Sequence, residues 1–351
     1  MKQVNIKGRF IGNNQSPYVV AELSGNHNGS IDRAKKIILE AKRCGSDAVK
    51  VQTFKPDSLT LPCYREEFMI NHGLWKGFNL YDLYKKTSLP YEWHEELFSY
   101  ANEIGITLFS SPFSEKDVEF LESFNVPAYK IASNELTHLP LIKEVIQTRK
   151  PIILSTGTAT LEEVESTIDF LEKTSCKNYI ILYCVSAYPA PLEESNLSTI
   201  TKIISNFGSL VGLSDHSLGI IAPIVAVSMG ACLIEKHFTL NRNDGGSDSG
   251  FSLEPEELKS LCSSVVLAYK SIGKPFFGYK NCEKESPIFK RHYYSIKDIN
   301  KGEVLSHVNI AAVRSPEGIA SSQYEKVIGK KAARNIKKHS PILSEDIINY
   351  E

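Results

Sequence analysis

Two histidines sit near the ends of short apolar runs: His216 in "VGLSDHSLGI" and His237, twenty-one residues on, in "LIEKHFTL". Each run reads as a strand finishing in a polar cluster. Neighbouring strands lie about 4.8 Å apart, so imidazoles at equivalent strand ends can face one ligand. Two imidazoles without a thiolate suit a divalent ion that keeps open positions, such as Mn²⁺, Zn²⁺ or Fe²⁺. Such an ion acts as a Lewis acid on a carbonyl oxygen. Taken alone, each histidine is equally well a hydrogen-bonding strand end, so the case depends on its surroundings.

The surroundings are polar in the same way. Lys50, Lys130 and Lys236 are cations at strand ends, and Ser111, Ser133, Ser155 and Ser214 are hydroxyls beside small residues. Gly157 just after its strand lets backbone N–H groups approach an anion at a helix start. Together they suit a phosphorylated or carboxylated ligand. Glu22, Gln52, Glu135, Ser186 and Tyr188 are further polar groups at the strand ends. A lysine in this ring could instead form a Schiff base, which needs a depressed pKa; the residues leave that open.

The elements that must carry these ends alternate regularly. Strand-like runs at 18–23, 47–54, 106–111, 128–133, 151–157, 179–189, 210–216 and 231–238 are separated by helix-like spacers such as "LEEVESTIDFLEKT". The runs are Val/Ile/Leu-rich without polar alternation, as in parallel strands covered on both faces. Eight such units predict an α/β fold, a (β/α)8 TIM barrel, whose catalytic groups stand at the C-terminal strand ends. A doubly wound open sheet is the competing topology. One interval, from Lys55 to about Glu95, is long and aromatic and would lie over the barrel mouth, as a packing insertion or a substrate lid. After residue 280 the pattern changes. Residues 281–291 read as a linker to a small domain ending at 351, which alone would bury little core. The expected domains are therefore 1–280 and 281–351.

Composition narrows the class. The 351 residues carry a net charge of −1, which does not point to nucleic acid or an anionic membrane. No apolar run reaches the ~20 residues of a membrane span. Seven cysteines form no CxxC pair and no zinc spacing, which fits a reducing cytoplasm.

The blocks "NHNG", "STGTAT", "SDHSLGI", "IEKHFTL" and "SLEPEEL" resemble, in this order, those of the sialic acid synthase family, and the tail resembles its antifreeze-like (SAF) domain. That resemblance implies a metal-dependent, aldol-type condensation of phosphoenolpyruvate with an N-acetylated amino sugar. Phosphate is released and a nine-carbon 2-keto acid is formed. Within the family, "VAELSGNHNGS", "NLYDLYKKTS", "LFSSPFS", "YKIAS" and "CVSAYP" look like the pseudaminic acid branch. Its sugar is 2,4-diacetamido-2,4,6-trideoxy-L-altrose. The N-acetylneuraminate branch typically has Asn where this chain has Ser186, and usually Gly where it has Asn134; neuraminate and legionaminate synthesis remain alternatives. By the same resemblance, His216 and His237 hold a divalent metal, Mn²⁺ or Mg²⁺. Lys50, Ser111, Lys130, Ser133, Ser155 and Ser214 hold phosphoenolpyruvate. Glu22 and Asp248 position the sugar, with Gln52, Ser186 and Tyr188 beside them. Glu22, Lys130 and Glu135 form the catalytic set, Glu135 or the substrate phosphate serving as base for the attacking water. Arg314 of the tail reaches the partner's mouth in a homodimer. Against this enzyme stand a Schiff-base aldolase using Lys130 or Lys236, and a non-catalytic carbohydrate- or ice-binding protein suggested by the tail.

Overall fold

The structure, a computed structural model, describes residues 2–350. It divides into two compact units, Met1–Gly273 and Lys274–Glu351.

The first unit opens with an antiparallel hairpin of β1 (Val4–Ile6) and β2 (Arg9–Ile11). Eight strands follow: β3 (Tyr18–Glu22), β4 (Ala48–Thr53), β5 (Thr107–Pro112), β6 (Tyr129–Ile131), β7 (Ile152–Ser155), β8 (Tyr179–Cys184), β9 (Leu210–Asp215) and β10 (Leu233–His237). All pair in parallel and in order, and β10 returns to β3 with His237 opposite Glu22, so the sheet is a closed barrel. The helices are α1 (Ile31–Arg43), α2 (Pro56–Leu59), α3 (Leu80–Thr87), α4 (His94–Ile104), α5 (Glu115–Glu122), α6 (Leu139–Gln147), α7 (Leu161–Lys173), α8 (Thr199–Phe207), α9 (Ile221–Ser228) and α10 (Pro255–Ile272). Their starts are written locally. Ser30 accepts from the Arg33 N–H, Ser114 from that of Asp117, and Thr160 with Glu163 forms a capping box.

Successive strand residues point to opposite faces. Outward, Val19, Val49, Ile131, Leu154, Val211 and Ile234 pack with helix residues such as Ile37, Leu121, Ile142 and Ile168. Inward and low, Tyr18, Val20, Phe109, Ile153, Ile180 and Leu233 cluster with Val4, Ile6 and Ile11 of the hairpin. The hairpin thus closes the N-terminal end of the barrel. Its three-residue strands are too short to show a period, and the sequence reading began only at Tyr18. At Gly212 an added Cβ would lie 2.4 Å from the Leu233 carbonyl oxygen, so a side chain there would force the strands apart.

The long interval after β4 is a folded insertion. It contains α2 and α3, an antiparallel bridge between Met69 and Asn79, and a buried Leu83. The Asn79 amide donates to the Cys63 carbonyl at 2.8 Å, and Trp75 Nε1 donates to the Ser247 carbonyl at 2.9 Å.

The second unit pairs β11 (Arg291–Ser295) with β12 (Ile310–Arg314), antiparallel, and carries α11 (Tyr324–Val327). Tyr293, Leu305, Ile310, Val327, Ile336 and Ile342 give it a core of its own. Among the described residues no helix is long and apolar enough to cross a membrane.

Candidate active site

The site continues the inward side of each strand. Two residues above the hydrocarbon of the floor, the same face becomes polar: Lys50 and Gln52 on β4, Lys130 on β6, Ser155 on β7, Cys184 on β8, Ser214 on β9, Glu235 and His237 on β10, with His216 just past β9. These side chains line one cavity of about 320 Å³.

Its base is a chain of alternating charges. Lys50 Nζ lies 2.9 Å from Glu22 and 3.6 Å from Glu235, and Lys130 Nζ lies 3.3 Å from Glu235. Ser214 donates to Glu235 at 3.1 Å, Lys50 to Ser111 Oγ at 3.3 Å, and Gln52 to Glu22 at 2.9 Å. Burial pulls the Lys130 ammonium below its ordinary value, against Glu235. Burial opposes the Lys50 ammonium too, but Glu22 and Glu235 outweigh it and hold Lys50 above its usual range. Burial, with Glu235 nearby, raises Glu22. For Glu235 burial is outweighed by Lys130 and Lys50, which keep it ionised.

Several buried polar atoms around the cavity have no hydrogen-bond partner: Ser155 Oγ, Glu135 Oε2, Glu235 Oε2, His237 Nδ1 and Ser247 Oγ. Each such atom costs stability unless something satisfies it. Their convergence on one cavity marks a polar ligand. Burial also pushes the Glu135 carboxyl up to about 7.

The imidazole rings of His216 and His237 stand edge to face with centroids 5.3 Å apart. His216 Nδ1 donates to the Val185 carbonyl at 2.9 Å, which leaves Nε2 as the lone-pair nitrogen. Burial and the surrounding cations hold His237 well below its ordinary value, so that ring is neutral. Asp248 lies 3.7 Å from His237 Nδ1 and accepts from Ser24 Oγ. At His216 burial is outweighed by Cys184, the Val185 carbonyl and Asp215, which raise it above its ordinary value, so a divalent cation would have to displace any proton on its Nε2. Beside it, the neutral His237 ring with its orphan nitrogen fits such a cation. Among the described residues no three His, Cys, Asp or Glu side chains form a complete cage.

Beside the charges, the Gly157 N–H donates to Ser133 Oγ at 3.1 Å. A Cβ on Gly157 would fall 2.1 Å from Ser186 Oγ and 2.7 Å from Ser133 Oγ, so a side chain there would displace both hydroxyls. The opposite wall is apolar: Phe54, Leu59, Ile70, Trp75, Leu83 and Tyr84. The Trp75 ring leans on Tyr188 at 5.2 Å, and Tyr188 on His216 at 4.4 Å.

Of the residues singled out in the sequence, Lys50, Gln52, Lys130, Ser133, Glu135, Ser155, Tyr188, Ser214, His216, His237 and Asp248 meet in this cavity. Glu22 and Ser111 stand behind it as partners of Lys50, and Ser186 beside Gly157. Arg314 lies in the second unit at the end of β12, exposed, over the Phe289 ring at 6.0 Å. Lys236 is a correction. Glu235 and His237 occupy the inner face, so the residue between them must face outward. It is fully buried there, bonded to Asp215 and to the Ser217 carbonyl, and supplies neither an anion-binding cation nor a Schiff-base amine to the mouth. Cys184, Glu235 and Ser24 were not assigned roles from sequence. Counting by twos from Leu182, His237 and Glu22 finds all three.

Residues 37–276 match the NeuB family and residues 290–348 the SAF domain. The chain is 42% identical over 335 residues to the pseudaminic acid synthase of Helicobacter pylori, covering 95% of this chain and 98% of that one. It is 42% identical over 319 residues to the pseudaminic acid synthase of Campylobacter jejuni, covering 91% and 93%. Among solved structures, the N-acetylneuraminic acid (sialic acid) synthetase of Leptospira borgpetersenii matches with a TM-score of 0.73 at 28% identity, covering 81% of this chain and 95% of that one. With more than half of its length matched by one family and its barrel mouth lined as described, the chain belongs to the NeuB family.

Proposed function

We propose that the chain is a pseudaminic acid synthase, condensing phosphoenolpyruvate with 2,4-diacetamido-2,4,6-trideoxy-L-altrose. The observation that carries this choice is the 42% identity to pseudaminic acid synthases over 95% and 91% of the chain. The cavity supports it, since a charged base facing an apolar wall suits an anionic three-carbon substrate beside a deoxy, diacetamido sugar.

In this reading Lys50, Lys130, Ser111, Ser133, Ser155 and Ser214 hold the carboxylate and phosphate of phosphoenolpyruvate. The ion pairs with Glu22 and Glu235 keep both ammonium groups aimed before substrate arrives. Glu22, Gln52, Ser186, Tyr188 and Asp248 orient the open-chain sugar, and the Phe54–Leu83–Tyr84 wall receives its methyl groups. His216 and His237 would hold a divalent metal, Mn²⁺ or Mg²⁺, which supplies Lewis-acid polarisation of the sugar aldehyde. The methylene carbon of phosphoenolpyruvate attacks the aldehyde carbon, whose oxygen takes up a proton to become a hydroxyl, and positive charge develops at the neighbouring, phosphate-bearing carbon. Water adds there as Glu135 takes its proton, and the C–O bond to phosphate then breaks to leave the 2-keto acid. A carboxyl poised near 7 is suited to accepting that proton. In a homodimer, Arg314 of the partner chain would present its planar fork to an acyl oxygen. The setting is cytoplasmic.

The test is phosphate release from phosphoenolpyruvate with this sugar and with those of the neuraminate and legionaminate branches, with Mn²⁺ and with EDTA. Fastest release with the trideoxy-L-altrose, abolished by EDTA, is expected. A neuraminate-branch preference overturns the substrate choice. Trapping of a Lys130 adduct by borohydride overturns the metal-dependent route.

A further inference from the structure

The residues flanking the two histidines form a second device, on the far side of the barrel wall. Asp215 precedes His216 and Lys236 precedes His237, and both point outward, away from the cavity. The β9–β10 ladder stops at the Asp215–Lys236 rung. His216 and His237 therefore stand one residue beyond the last rung of this ladder, so no β9–β10 backbone hydrogen bond joins them, although His237 is still paired with Glu22 of β3. Side chains tie the two ends instead. The Lys236 ammonium bonds the Asp215 carboxylate and the Ser217 carbonyl. The same carboxylate accepts the Ser217 N–H at 3.0 Å and its hydroxyl at 3.1 Å. Both residues bracketing His216 are thus pinned, and they are pinned to the residue beside His237. Lys236 and Ser217 are at most 1% exposed and Asp215 is 6% exposed, so water does not compete for these bonds.

We infer that the buried Asp215–Lys236 pair fixes the spacing of the His216 and His237 imidazoles and thereby sets that site's affinity for a divalent cation. The inference depends on reading the two histidines as cation ligands. Asp215 and Lys236 are positioning residues. They touch neither substrate nor cation, and they act through the two strand ends that they tie together. A bond network that orients ligands from behind commonly governs a cation site as strongly as a ligand does.

The experiment is titration of the full chain with Mn²⁺ alone, free Mn²⁺ being read by electron paramagnetic resonance, alongside thermal unfolding and steady-state kinetics. The double variant Asp215→Asn/Lys236→Met removes both charges together and leaves no lone buried ion. It is expected to unfold cooperatively yet bind Mn²⁺ about tenfold or more weakly, with the KM for phosphoenolpyruvate changed less than about twofold. Asp215→Glu keeps both charges and lengthens the tie, and serves if the double variant does not fold. It should weaken Mn²⁺ binding by about threefold, a smaller loss in the same direction. Lys150→Met, which breaks the surface pair with Glu122 far from the site, should leave Mn²⁺ binding unchanged. Wild-type Mn²⁺ affinity in whichever pair variant folds overturns the inference. His216→Ala separates the two claims. Undiminished Mn²⁺ binding there overturns the ligand assignment and this inference with it, whereas loss there with wild-type affinity in the pair variants overturns the inference alone.

Discussion

The floor and the mouth of the barrel are built by the same strands on the same face, yet they do opposite work. Along β10 the inward residues run Leu233, Glu235, His237; along β4, Ala48, Lys50, Gln52; along β7, Ile153 then Ser155. One step of two residues converts hydrocarbon into charge. The floor is a cluster of apolar side chains, sealed by Val4, Ile6 and Ile11. The mouth keeps unpaired oxygens and nitrogens at Ser155, Glu135, Glu235 and His237. Stability and chemistry are thus separated by about 7 Å along each strand. Mutations should divide the same way.

The largest effect is expected at the rim. His216→Ala or His237→Ala should lower turnover about a thousandfold, equivalent to about 4 kcal/mol of transition-state stabilisation, while the thermal midpoint stays close to wild type. Full activity in either removes the metal assignment. Phe109→Ala, in the floor, should do the reverse. It should cost about 3–5 kcal/mol of stability in urea unfolding, while turnover per folded molecule stays near wild type; a matching loss of turnover would break the division. Glu135→Gln should slow the reaction about a hundredfold. In the wild type this carboxyl must be ionised to accept a proton, so activity should fall as the pH drops below about 7, and the variant should lose that limb. A retained limb would assign the proton to the substrate phosphate. The same raised value makes the carboxyl's share of stability greatest below its ordinary 4.5 and lost as pH rises through about 7, a drift the variant should not show. Arg314→Ala should raise KM for the sugar about tenfold with little change for phosphoenolpyruvate. The smallest effect is at Ser186→Asn, which should shift the preference between trideoxy-L-altrose and neuraminate-branch sugars by a few-fold, about 1 kcal/mol.

Much of this was legible in the chain. Strands buried on both faces are written as unbroken Val/Ile/Leu runs, so all eight could be read, and their polar ends located the mouth. Which polar residue enters the mouth is a matter of parity. Lys236 was misread because a lysine at a strand end looks like an anion binder, and only its place between Glu235 and His237 sends it outward. The floor hairpin escaped because three-residue strands have no period. The aromatic interval 55–95 could be placed over the mouth, but not which of its side chains face the cavity: Trp75 and Leu83 do so along a path that depends on tertiary contacts, such as Trp75 with the Ser247 carbonyl.

The hairpin carries a consequence for the order of assembly. Val4 and Ile11 leave the ribosome before any barrel strand, but their seat includes Leu233 of β10. They must wait for more than two hundred intervening residues to be made and for the ring to close between β10 and β3. Non-local contacts of this span form slowly. A piece synthesised before every barrel strand is therefore among the last to dock, like a stopper that fits only after the bottle has been blown.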